Sequence, residues 1–469
     1  MPGVLSPATR KLDTRKDFDR LNSTARNDAK LALRIIPREQ HTISRKNISK
    51  AALRVLYRLN EAGYDAYLVG GAVRDLLLGG HPKDFDVATN ATPDEVKKLF
   101  RNCRLIGRRF RLAHVVYGAE IIEVATFRGA SEDEGDRHIV DGRIVRDNVW
   151  GTIEEDALRR DFRVNAMYYD ISDFSVRDYV GGIKDLQERA LHLIGDPTTR
   201  YREDPVRMLR AVRLAAKLDF RIDSSASAPF AELGPLLSGV APARLFDESL
   251  KMFLSGHGLK SFRTLERSGL LKYMFPATAR ALKRGDEALR SLIERGLGNT
   301  DDRVAEGKSV TPAFLFAVLL WGEVRDLAHT WTTHGKDTNE AWSRAAVHVV
   351  AEQCQRVAIP RRFTITMEEI WSLQPRFEQV QRKKVFRLLG HPRFRAAFDF
   401  LLLREAESPA IGELGRWWAH AQQLPHETLA SALPLQQMGN AGDLEPVRSG
   451  ATRKRKRRRK SSAGKSGAA

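Results

Sequence analysis

Two cysteines in 469 residues, Cys103 and Cys354, can build neither a disulfide framework nor a thiolate metal cluster. Long hydrophobic runs are scarce too. The longest, AFLFAVLLW from Ala313 to Trp321, falls well short of the roughly 20 residues of a membrane span and reads as a buried helix. The first residues, MPGVLSPATRKLDTRKDF, lack the apolar core of a secretory signal. Acidic residues are outnumbered, 59 against 78 Lys and Arg. The absences together lead to the expectation of a soluble cytoplasmic protein with no membrane span.

What the chain does have is positive charge. The net formal charge of +19 points to a polyanionic partner, most simply nucleic acid. Eight consecutive cations, Arg453, Lys454, Arg455, Lys456, Arg457, Arg458, Arg459 and Lys460, suit phosphate contacts that need no fold. The length allows two to four domains. Residues 1–44 show no sustained apolar period and read as a disordered basic extension. Residues 45–195 alternate short strands and helices. A helical neck is expected over 196–265, a helical body over 266–440 and a disordered basic tail over 441–469. The predicted fold class is therefore α+β, a mixed head followed by helices. Within the head, Gly129 to Arg146 looks like a loop.

Two stretches of the head carry chemistry. In YLVGGAVRDLLLGG a strand, the turn Gly70-Gly71 and a helix start expose backbone N–H groups to an anion. Arg74 in the first helical turn could add a phosphate contact. No Gly-Lys-Ser/Thr follows this turn, which excludes a P-loop. About a dozen residues on, KDFDVATN sets Asp84 and Asp86 on one face of an extended run, with Phe85 and Val87 on the other. Two such close carboxylates repel unless a cation lies between them, and hard cations such as Mg²⁺ take carboxylate oxygens. A phosphate cradle beside a D-x-D pair is what nucleotidyl transfer requires.

Here the sequence resembles the polymerase β-like nucleotidyltransferases, and more narrowly the bacterial class of CCA-adding enzymes and poly(A) polymerases. RRDFRVNAM, Arg159 to Met167, and EDPVRMLR, Glu203 to Arg210, match motifs of that class. The resemblance implies a nucleotidyltransferase head with a helical neck and body. It implies that Arg159 and Arg160 hold nucleotide phosphates, that Asp161 belongs to the active site and that Asn165 positions the sugar. By the same resemblance Asp204 and Arg207 contact the base and Arg210 the nucleotide. If Asp204 caps its own helix, it is less free to do so. Glu123, in EIIEVATFR, ranks behind Asp161 as a third active-site acid.

LIGRRFRLAHV, Leu105 to Val115, resembles the segment that sets bacterial poly(A) polymerases apart from CCA-adding enzymes. Read as one strand, it puts Arg109 and Arg111 on one face, toward RNA or ATP phosphates. None of the 12 histidines precedes an aspartate, so the phosphohydrolase signature of some CCA-adding relatives is missing. The implied reaction is template-independent addition of AMP from ATP to RNA 3′ ends, with two Mg²⁺ ions and pyrophosphate release. RNA-decay proteins are expected partners by family analogy. A CCA-adding enzyme and a catalytically silent RNA-binding protein are the alternatives.

Overall fold

The structure, a computed structural model, describes residues 33–433 apart from 108–110, 130–136, 141–142 and 148. Arg109 and the cationic run 453–460 lie outside the described residues. The head is one mixed sheet of eight strands. Its strands are β1 (Arg34–Ile36), β2 (Ala66–Val69), β3 (Asp86–Thr89), β4 (Cys103–Ile106), β5 (Leu112–Tyr117), β6 (Glu120–Thr126), β9 (Met167–Asp170) and β10 (Val176–Asp178), in the order β1-β10-β9-β2-β3-β6-β5-β4. Only β3 and β6 pair in parallel.

Strand alternation gives the sheet two working faces. Leu68, Val87, Val124 and Tyr169 turn to one side and pack with helix α1 (Lys50–Glu61), whose Ala52, Val55, Leu56 and Leu59 are fully buried. Ser49 caps α1 by accepting from the Ala52 N–H. Tyr67, Val69, Ala88 and Tyr168 turn to the other side, where Ala157 of helix α4 (Ile153–Arg159) packs on them. Between these helices run α2 (Gly71–Leu77) and α3 (Pro93–Leu99). Thr92 and Glu95 form a reciprocal cap on α3, with Pro93 at its first position. The same box, Thr152 with Glu155, starts α4 (Ile153–Arg159).

Three sequence readings change here. Residues 33–44, expected in the disordered extension, are built into the head. β1 pairs with β10, and Ile36 and Ile43 are buried. Two apolar residues seven apart show no period, yet an edge strand needs only one partner. Part of the expected loop 129–146 is a ladder, β7 (Arg137–Val140) with β8 (Arg143–Asp147). LIGRRFRLAHV is not one strand: β4 ends at Ile106, Gly107 turns at φ 88, and β5 returns antiparallel from Leu112.

After α5 (Gly182–Glu188) and the two-residue strand β11 (Ala190–Leu191), the neck begins with α6 (Pro197–Glu203) and α7 (Val206–Leu218). α7 starts afresh at Val206 because Pro205, with no N–H to donate, cannot carry α6 on into it. β11 pairs in parallel with β12 (Arg221–Ile222), and α8 (Pro242–Phe253) crosses behind α7. The body is helical through His426–Ala432, around Trp321, Trp371 and Trp418. Its helix Arg361–Phe377, with Pro375 inside it, was not apparent from the sequence. No helix among the described residues is long and apolar enough to cross a membrane.

Candidate active site

A cavity of about 460 Å³ opens between the Tyr67 face of the sheet and the neck. Its floor follows from strand register. Val69, the last residue of β2, lies opposite Asp86, the first of β3, and Asp86 lies opposite Glu123 of β6. The turn Gly70-Gly71 thus stands over the acid pair. Gly70 has φ 77, and a Cβ there would face Asp86 Oδ2 at 3.7 Å and an Arg160 guanidinium nitrogen at 3.9 Å. Phe85 and Val87 are buried on the opposite side, so the alternation expected for D-x-D holds. The strand itself starts at Asp86, and Asp84 sits exposed just before it, outside the cavity lining.

Asp86 opens into the cavity, but its surroundings are desolvated. That setting and the Glu123 charge, with a smaller push from Asp84 and against the pull of Arg160, raise its carboxyl to about 6. Glu123 also meets the His114 ring at 3.4 Å from β5. Asp161, ranked ahead of Glu123 from the sequence, lies elsewhere in the cavity. Arg207 Nε donates to it at 2.7 Å and Arg210 donates to its other oxygen. Burial would raise Asp161, but Arg210 and Arg207 overcome that and hold it at about 2. The acid facing Asp86 is therefore Glu123. A strand face two residues wide could have been paired with D-x-D only by knowing that β3 and β6 are neighbours.

The arginines divide in the same way. Arg74 is buried and spent: its guanidinium donates to Asp75 at 2.7 Å and to Asn165 Oδ1 at 2.5 Å, and it does not line the cavity. Arg74, expected to contact a phosphate, is thus engaged by Asp75 and Asn165 behind the Gly70-Gly71 turn. Asn165 lines the cavity but with its oxygen engaged. Arg159 and Arg160 both line it. Arg160 is oriented by Asp156 at 2.9 Å and Tyr168 at 3.0 Å, and Arg159 by the Gly129 carbonyl. Arg111 lines the rim and meets Asp94 at 3.4 Å.

The neck wall is a closed network. Arg207 also donates to Glu203 at 2.9 Å and to the Arg200 carbonyl at 2.7 Å. Arg200 in turn donates to the carbonyls of Arg159 and Arg160, both at 2.7 Å. Pro205 holds the N-cap position of α7, the Asp204 carboxylate accepts from the Val206 N–H at the helix start at 3.4 Å, and its two short contacts, 2.9 and 3.0 Å, come from Arg244 of α8. Arg200, Arg244, Asp156 and His114 escaped the sequence reading, since each acts through a residue distant in the chain. Among the described residues no group of three His, Cys, Asp or Glu is spaced to hold a metal by itself. Two carboxylates completed by a nucleotide's phosphates are a common Mg²⁺ arrangement.

Comparison with known proteins brings further findings. Three family descriptions match the chain: "Poly A polymerase head domain" over residues 66–192, "Probable RNA and SrmB-binding site of polymerase A" over 219–282, and "Polymerase A arginine-rich C-terminus" over 334–461. The chain is 50% identical over 445 residues to poly(A) polymerase I of Salmonella typhi, covering 93% of each. It is 49% identical over 459 residues to poly(A) polymerase I of Escherichia coli O157:H7, covering 96% of each. A CCA-adding enzyme of Lactobacillus johnsonii is 36% identical over 47% of this chain and 54% of its own. Among solved structures, the Thermotoga maritima CCA-adding enzyme complexed with tRNA shares the fold at a TM-score of 0.56 and 20% identity, over 83% of this chain and 86% of that one.

Proposed function

The chain belongs to the bacterial poly(A) polymerase family, and from that premise we propose how it adds AMP from ATP to RNA 3′ ends without a template. The observation that carries the reading is the register that sets Asp86 opposite Glu123 beneath the Gly70-Gly71 turn. Asp86, with Glu123 and Asp84 adding negative charge around it, fits a divalent cation: hard oxygen donors face one another, and Asp86 is strained toward its protonated form without one. When bound, Mg²⁺ would lower the pKa of the RNA 3′-hydroxyl and neutralise charge on the triphosphate.

The chain's own groups do the rest by positioning. The backbone at Gly70 and Gly71 admits the triphosphate close to the acids, since no Cβ intervenes. Arg160, fixed by Asp156 and Tyr168, and Arg159 beside it hold the phosphates as charge moves to the leaving pyrophosphate. Asn165, tied to Arg74, borders the sugar. Asp204 and Arg207, with Arg210, read the adenine edge from the neck. Because Arg207, Arg210 and Arg244 are held by Asp161, Glu203 and Asp204, their donors stand in fixed directions before the base arrives. Arg109, Arg111 and the run Arg453–Lys460 contact RNA phosphates. The enzyme works in the cytoplasm, beside proteins of RNA decay.

A primer-extension assay tests this. Labelled oligoadenylate and a tRNA lacking its 3′ end are each incubated with one nucleotide and Mg²⁺. A long ladder from ATP on oligoadenylate, with little from CTP, is expected. Two cytidines and one adenosine on the tRNA followed by a halt would make the chain a CCA-adding enzyme. Incorporation on neither RNA would make it a silent binder.

A further inference from the structure

Six of the seven tryptophans belong to the helical body: Trp321, Trp342, Trp371 and Trp418 are buried, and Trp331 and Trp417 pack against the same cores. Trp150 stands apart in the head, 37% exposed, on the wall of the catalytic cavity. It is the one aromatic among the described residues that line that cavity.

The local backbone is built to hold it there. Arg128, beyond the end of β6, bridges Trp150 in antiparallel fashion. The Gly129 N–H donates to the Val149 carbonyl at 2.9 Å and the Gly151 N–H to the Phe127 carbonyl at 2.9 Å. A Cβ at Gly129 would stand 2.7 Å from the Trp150 carbonyl oxygen, and one at Gly151 would collide with Gly129. Only glycine at both positions lets the two segments close and present the indole at a fixed place. In the same lining Leu112 and Ala125 supply apolar surface, and Arg111, paired with Asp94 at 3.4 Å, and Arg128, paired with Asp156 at 3.7 Å, supply charge.

A flat apolar ring in a cavity that also presents cations suits a nucleobase and its phosphates. The incoming nucleotide's base has a reader elsewhere, the hydrogen-bonding network on the neck. Trp150 offers a π-face instead, which accepts any base, as an RNA end of arbitrary sequence requires. Its place along the strand sets which base. From Glu123 to Arg128 β6 and its extension advance five residues, about 16 Å. That spans roughly five nucleotides of a stacked strand.

We propose that Trp150 is the stacking platform for an unpaired base of the RNA primer a few nucleotides behind its 3′ end, with Arg111 and Arg128 beside the adjoining phosphates. This rests on the reading that the cavity extends RNA. It is tested by fluorescence anisotropy of labelled oligoadenylates on the full chain without ATP, so that failure of the polymerase reading, seen as no extension from any nucleotide, appears in a separate assay. Trp150→Ala is expected to weaken binding about tenfold, near the low end for one base–aromatic stack, and Trp150→Phe to recover most of it. An abasic site moved back from the 3′ end one position at a time should weaken the wild type at one internal position and leave Trp150→Ala unaffected there. In extension assays Trp150→Ala should raise the KM for primer and not for ATP. Equal sensitivity of both proteins to every abasic position would overturn the proposal. So would a raised KM for ATP with the primer's unchanged.

Discussion

On the head wall of the cleft, Asp86 and Glu123 face each other and the nearby charge of Asp84 adds to theirs, with Arg160 offsetting Asp86. On the neck wall, Asp161 is clasped by Arg207 and Arg210, and Asp204 by Arg244. The same residue type ends at about 6 in one place and about 2 in the other. The difference separates two jobs. In the proposed mechanism, the carboxylate left under-compensated is the one that takes a cation arriving with substrate. One saturated by arginines becomes part of a rigid surface whose remaining donors are already aimed.

Breaking the head side should have the largest effect. Asp86→Ala is expected to slow transfer by about 10³-fold or more, since the loss of cation stabilisation costs several kcal/mol of barrier. RNA affinity, measured by anisotropy, should stay at the wild-type value. Near-normal activity would remove the acid floor from the mechanism. On the neck side, Arg207→Ala should cost about 3 kcal/mol of stability, because it leaves a desolvated carboxylate short of a partner. Urea melts read that loss, and single-nucleotide extension should show CTP gaining on ATP.

The two walls should also respond to pH with opposite sign. Asp86 is raised, so the folded protein binds its proton more tightly than the unfolded chain does. Its contribution to stability is full below its ordinary carboxylate value and is lost as pH rises through about 6. Metal-free protein should therefore lose stability between about pH 4 and pH 6, and Mg²⁺ should suppress that loss. Glu123→Gln should shrink it, because the neighbouring charge is gone. Asp161 is depressed, so its contribution is complete above the ordinary value and disappears as pH falls toward 2. Melts of Asp161→Asn across this range should lose the acid-side decline alone. The smallest effect belongs to Gly70→Ala. At φ 77 and ψ −140, a region essentially reserved for glycine, an alanine costs about 1–3 kcal/mol of stability, while its methyl would only touch Asp86 and Arg160.

The local parts of this site were legible in the sequence, and the long-range parts were not. D-x-D, the glycine turn and the Thr92 cap follow from alternation, backbone freedom and side-chain reach, which act over a few residues. Arg74 could be placed in a first helical turn, but not turned inward onto Asn165, 91 residues away. That Glu123 faces Asp86 while Asp161 meets Arg207 and Arg210 comes from strand order and from the neck, which no local pattern announces. The amino-terminal edge strand was missed for a related reason: three residues gain a place in a sheet through pairing that no period announces.

Asp161 also bears on how the molecule can be divided. The family description of the head ends at residue 192 and the next begins at 219, while the arginines that clasp Asp161 sit in the interval between them. So does Lys217, which reaches back to Asp75 of α2 at 3.0 Å, and β11 finds its partner strand only at Arg221–Ile222. A chimera joined at residue 192 would inherit an acid without its cations and a strand without its neighbour. The unit that keeps these contacts whole is head and neck together, about residues 33–253, and a head exchange cut beyond α8 is the one expected to transfer nucleotide preference.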